Sequence, residues 1–166
     1  PAVWGRSTMP WYQRAVLFAA SHIMPAIRVT GQSLKLKPSD NIEMLRALGR
    51  DPLVLKNTRI DTIHGLTDLM DAALESAYTF DAPALILIGE RDEIIPRNPT
   101  RLLIQRLPRN GRHRRRLAFY AKGYHMLLRD LQAETVWRDI AAWIADASAP
   151  LPSAADKWAE AERARK

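Results

Sequence analysis

Two short segments carry the residue types that acid–base catalysis needs. The first is Gly89-Glu90-Arg91-Asp92-Glu93-Ile94-Ile95-Pro96, three carboxylates in a loop that ends at a proline. The second is Lys122-Gly123-Tyr124-His125-Met126-Leu127-Leu128, in which a histidine closely follows a glycine. Both come directly after strand patterns, and ligands in open α/β sheets bind just beyond the carboxyl ends of strands. An acid and a histidine at neighbouring strand ends make the orienting half of a catalytic triad. The carboxylate fixes the imidazole tautomer and stabilises imidazolium, while the imidazole takes a proton from a nucleophile. Histidine suits the task because its ordinary pKa, ~6.5, lies near neutrality. Taken singly, each segment has a plainer reading: acid-rich loops cap helices, and a histidine after a strand often makes only a structural hydrogen bond.

The other titratable groups offer less. His22 and His64 fall inside helical patterns, His113 lies among arginines, and no H-E-x-x-H or comparable ligand spacing joins them. Cysteine is absent, which removes thiolate metal sites, a thiol nucleophile and disulfides. Catalysis, if any, uses oxygen or nitrogen groups.

The elements that must hold Asp92 and His125 fall into two regimes. The first third of the chain reads as helical, with no convincing strand. A first helix spans Trp11 to Met24, from Pro10 to Pro25, and a short one follows with Asp40 and Glu43 in a capping-box arrangement ahead of Ile42, Leu45 and Leu48. Ile60, Ile63, Met70, Leu74 and Ala77 then keep a period near 3.6, which predicts an amphipathic helix over 59–78 with Gly65 as its weak point. At Asp81 the pattern changes. Ala84 to Ile88 is an unbroken apolar run between Pro83 and Gly89, the mark of a strand covered on both faces in a parallel sheet. A helix over Pro99–Leu107, a strand over Arg116–Tyr120 and a helix over Ala133–Ala145 complete a strand-helix-strand-helix order, which is α/β. From Ala147 the composition turns to Ala, Pro, Ser and charges, so residues 147–166 read as a frayed tail or a loosely attached helix around Trp158.

With 166 residues, 47% of them apolar, the chain has material for a real core. Its net charge of +7 is concentrated between Arg101 and Arg116, where seven arginines stand with no acid and no aromatic ring among them. Pro108 and Gly111 break that stretch, so it reads as a solvated basic loop rather than a base-stacking surface, and nucleic acid is disfavoured as a partner. The longest apolar stretch, around Ala15–Ala20, is far short of the ~20 residues of a membrane span, and no signal peptide is legible. The expected setting is cytoplasmic, with peripheral contact to a membrane left open.

Together, the patterns Leu87-Ile88-Gly89-Glu90-Arg91-Asp92 and Gly123-Tyr124-His125-Met126-Leu127, with acid and histidine 33 positions apart, resemble the C-terminal part of an α/β-hydrolase of the lysophospholipase and monoacylglycerol lipase branch. Asp51-Pro52-Leu53-Val54 resembles a segment of the helical cap of these enzymes. The resemblance runs from about residue 1 to 146. It implies a helical cap (lid) over 1–80, then the last two strand-helix units of a mainly parallel sheet over 81–146. It also implies that Asp92 is the triad acid and His125 the general base of a serine carboxylic-ester hydrolase that needs no cofactor or metal. Trp11, Leu17 and Phe18 are then candidates for acyl-chain contact, unless they only pack the cap.

One part of the family's pattern is missing. The triad order in this fold is Ser, acid, His, with the serine in a G-x-S-x-G elbow. None of Ser7, Ser21, Ser33, Ser39, Ser76, Ser148 and Ser153 lies in such a motif; Gly31-Gln32-Ser33 continues as Leu34-Lys35. The chain therefore reads as a fragment whose partner is the N-terminal half of the hydrolase, inactive alone, with a lysophospholipid- or monoacylglycerol-like ester as substrate. Two alternatives stay open: a dehalogenase or peroxidase on the same fold, and a non-catalytic module binding lipid, protein or nucleic acid.

Overall fold

The computed structural model describes residues 5–31, 35–108 and 115–157. Trp4, Ser33, His113, Trp158 and the arginines at 109, 112 and 114 lie outside them. The described residues form α1 (Trp11–Ile23), β1 (Arg28–Val29), α2 (Ile42–Arg50), β2 (Thr58–Arg59), α3 (Ile60–Ser76), β3 (Ala84–Gly89), α4 (Arg97–Arg106), β4 (Arg115–Tyr120) and α5 (Ala133–Ala145). They fall into two compact units that do not follow a cut at residue 80. Among the described residues, one comprises 5–31, 35, 50–80 and 95–108, the other 36–49, 81–94 and 115–157.

The first unit is helical. Its buried apolar residues include Met70, Leu74 and Ala77, from α3 and the turn after it, Pro99 in α4 and Leu107 beyond it. Arg6 ties the start of the chain to α3: its guanidinium lies 2.7 Å from both Asp68 and Asp71. β1 and β2 pair antiparallel, Arg28 opposite Arg59 and Val29 opposite Thr58. They were not legible beforehand, because two residues are too few to show a period of two. The α1 prediction holds to within a residue, yet none of its side chains is buried; Trp11 is 78% and Phe18 61% exposed.

The second unit holds a parallel pair, with Ala84 of β3 beside Arg115 of β4 and Gly89 beside Tyr120. β4 is the better covered strand: Leu117, Ala118 and Tyr120 are buried, and Ala118, Tyr120, Leu127, Val136, Leu151 and Ala155 form one hydrophobic cluster. β3 departs from expectation, since all six of its residues are only half-buried. It pairs with a single strand among the described residues, so its unbroken apolar run has more surface than this unit covers.

The tail prediction also needs correction over 147–157. Leu151 and Ala155 are core residues, and the buried Asp139 of α5 accepts hydrogen bonds from Tyr120 Oη (2.8 Å), Ser153 N (3.0 Å) and Ser153 Oγ. Arg116 clamps the same segment by donating to the Ala149 and Ser148 carbonyls and pairing with Asp156 at 3.4 Å. Arg106 is likewise not simply solvated, bonding the Leu74 carbonyl and Glu75 and lying over the Tyr78 ring. Two members of the basic stretch are thus structural. The capping box is corrected too. Asn41, not Asp40, caps α2 by accepting from Met44 N at 3.1 Å, and Asp40 instead accepts from Leu131 N at 2.9 Å.

Candidate active site

Asp92 and His125 meet. Asp92 Oδ2 lies 3.0 Å from His125 Nδ1, with the acid side chain 19% and the histidine 39% exposed. An ionised carboxylate only accepts, so Nδ1 carries the donated proton and Nε2 is left as the basic nitrogen. Nε2 has no hydrogen bond among the described residues.

The two loops are joined through their backbones. β3 and β4 end side by side, and beyond them Glu90 N–H donates to Tyr120 O (3.1 Å) and Arg91 N–H to Gly123 O (2.9 Å). This approach requires glycine at 89 and favours it at 123. A Cβ on Gly89 would stand 2.5 Å from the Tyr124 carbonyl oxygen and 2.7 Å from that of Gly123, and one on Gly123 would meet Leu127. Asp92 is held in place by its own turn, because Oδ1 accepts from Ile94 N at 2.8 Å while Oδ2 faces the histidine. The plainer reading, an acid that only caps the next helix, does not describe it; α4 begins at Arg97 with no side-chain cap.

Several residues around His125 escaped the sequence reading. Tyr124 N–H donates to Asp130 Oδ2 (2.7 Å), and Met126 N–H to the Pro38 carbonyl (3.0 Å). Ser39 Oγ donates to Asp130 Oδ1 (2.6 Å) and Lys37 N–H to Glu93 (2.8 Å). Asp130, five positions beyond His125, could have been suspected; Ser39, 91 positions from Asp130, has no local signal. The Tyr124 ring lies under Lys37 Nζ and Arg91, at 5.0 and 5.9 Å from its centroid. The positive charge of Arg91, and then of Lys37, beside the ring draws its hydroxyl below the ordinary phenol range.

The three candidate acyl-contact residues separate on α1. Leu17 lines an apolar groove of about 420 Å³ with Tyr12, Val16, Val29, Ile60 and Ile63. Trp11 and Phe18 line a different cleft, with Arg6, Arg14 and His64. His22 and His64 serve locally, His22 against the Phe18 carbonyl (2.8 Å) and His64 beside Asp68 (3.5 Å). No cluster of three or more His, Asp or Glu suited to a metal occurs among the described residues.

Sequence comparison assigns the family. The profile of the family described as serine aminopeptidase, S33 matches residues 1–132. The chain belongs to this family. A monoacylglycerol lipase of Mycolicibacterium smegmatis is 29% identical over 123 residues, 66% of this chain and 43% of that protein. Among solved structures, the monoacylglycerol lipase of Paleococcus ferrophilus is similar with a TM-score of 0.68 at 26% identity, over 87% of this chain and 55% of that one. A soluble variant of the Saccharomyces cerevisiae monoglyceride lipase, solved with a substrate analogue, gives a TM-score of 0.62 at 20% identity, over 87% and 53%. The chain spans about half the length of these relatives, and its fold is that part of an α/β-hydrolase.

Proposed function

We propose that this chain supplies the acid and the base of a Ser-Asp-His triad in a carboxylic-ester hydrolase acting on monoacylglycerol- or lysophospholipid-like esters. The observation that carries the reading is the 3.0 Å Asp92–His125 contact beyond two parallel strand ends, with Nε2 left open. The nucleophile and oxyanion hole belong to the N-terminal part of the hydrolase, outside these 166 residues. As the serine attacks the ester carbonyl, its hydroxyl proton passes to His125 Nε2 and Asp92 stabilises the imidazolium. His125 then protonates the departing alcohol. In the second half it takes a proton from water, which attacks the acyl-serine, and returns that proton to the serine as the acid leaves.

Two features favour a lipid ester over a peptide. The lining of the Leu17 groove is almost wholly apolar, as an alkyl chain requires, and the relatives above are lipases by name. Helix α1 exposes Trp11, Val16, Phe18 and Ile23, an apolar surface suited to peripheral contact with a lipid aggregate. No helix among the described residues is long and apolar enough to cross a membrane.

The test is hydrolysis of a monoacylglycerol by the chain joined to its G-x-S-x-G-bearing segment. Turnover is expected there and not from the chain alone. His125→Ala should lower kcat on the order of 10^4-fold, and Asp92→Asn severely but less. Undiminished turnover in His125→Ala would dismiss the triad.

A further inference from the structure

We infer that Asp130, backed by Ser39, is a positioning residue that sets the aim of His125. The inference rests on the triad reading and adds to it the device that orients the base. Asp130 is only 3% exposed, and its carboxylate has no ion pair with a cation among the described residues. A buried carboxylate without a counter-charge is expensive unless hydrogen bonds compensate it. Both of its oxygens are satisfied, one by Tyr124 N–H at 2.7 Å and the other by Ser39 Oγ–H at 2.6 Å. Ser39 is fully buried, and its Oγ in turn accepts from Asn41 N at 3.2 Å, so its hydroxyl has little freedom to turn away.

The placement of these bonds points to the histidine. The peptide N–H before His125 is held by Asp130 and the one after it, on Met126, by the Pro38 carbonyl at 3.0 Å. Residues 38 and 39 therefore grip the backbone on both sides of the base, one directly and one through Asp130. Asn41 adds a side-chain bond to the Arg129 carbonyl at 3.1 Å. A charged acceptor gives Tyr124 N–H a stronger bond than a neutral one would. The Cα–Cβ direction of His125, and with it the Nδ1 approach to Asp92, depends on that peptide staying in place. An error of about 1 Å in such a group costs roughly 100-fold in rate.

Two variants separate positioning from folding. Asp130→Ala leaves Tyr124 N–H without its acceptor. Asp130→Asn keeps an oxygen for Tyr124 and offers an N–H to Ser39 Oγ, so it restores the geometry without the charge. In the whole enzyme, with p-nitrophenyl butyrate as substrate and sites counted by exhaustive organophosphonate titration, Asp130→Ala should lower kcat per titrated site about 10- to 100-fold with KM little changed. Asp130→Asn should recover most of that loss. On the ¹⁵N-histidine-labelled chain, wild-type His125 should show a single Nδ1–H tautomer that becomes mixed in Asp130→Ala and returns in Asp130→Asn. A residue that merely supports the fold would reduce the number of titratable sites or the melting temperature and leave kcat per site and the tautomer alone; that result overturns the proposal. If His125→Ala retains full turnover, the triad reading fails instead.

Discussion

At the scale of single residues, Asp92 shows how one side chain serves two ends. One oxygen closes a turn onto Ile94 and the other meets His125, so both are engaged at once. Tyr120 has an analogous role in the core. Its hydroxyl donates to the buried Asp139, and burial, followed by that hydrogen bond, holds its pKa above the ordinary 10.0. A group whose folded pKa is raised contributes stability that is complete below the unfolded pKa and declines above it. The stability gap between wild type and Tyr120→Phe, followed by urea unfolding, should therefore be constant to about pH 9 and shrink between about pH 9 and pH 11. A gap that stays flat to high pH would show that the hydroxyl ionises no later in the folded protein than in the unfolded one.

At the scale of elements, the ends of β3 and β4 are brought together by what they lack. Gly89 stands against the carbonyls of Tyr124 and Gly123, and backbone oxygens cannot step aside as a flexible side chain does. Gly89→Ala should cost about 1–3 kcal/mol in chemical unfolding, as overpacking does, and should disturb the Asp92–His125 contact, visible as a shifted His125 resonance. Helix α1 gives a second test, because Leu17 and Phe18 line different clefts. If the Leu17 groove receives the acyl chain, Leu17→Ser lowers kcat/KM for long-chain esters relative to acetate esters by ~10-fold or more, and Phe18→Ser leaves that ratio nearer wild type. Equal losses on both substrates, with a lower melting temperature, would assign Leu17 to packing alone.

At the scale of the whole molecule, the segment after α5 is part of the core. Leu151 is 3% exposed within the cluster that also holds Tyr120 and Val136, and Arg116, Asp139 and Asp156 fasten the backbone around it. Leu151→Ala should destabilise the chain by ~2–5 kcal/mol, read from the urea midpoint, because it empties a packed site. A loss below about 0.5 kcal/mol would return residues 147–157 to the status of a tail.

What the sequence determined by itself was local or carried by chemistry. Helices α1, α3, α4 and α5 and strands β3 and β4 announce themselves by apolar period and by proline and glycine at their ends, signals contained within a dozen neighbouring residues. The acid and the histidine were legible because each follows a strand, and strand ends are where α/β sheets place chemistry. Only the tertiary structure decided which distant groups met. The Asn41 cap, the Ser39–Asp130 bond across 91 positions, the Asp139–Ser153 clamp and the half-buried state of β3 depend on partners that no local pattern encodes. Composition made 147–157 look like a tail because alanine, proline and serine are common in loose segments. Its burial comes from two apolar residues and four hydrogen bonds to Asp139 and Arg116, which become visible only when the chain has folded back over β4.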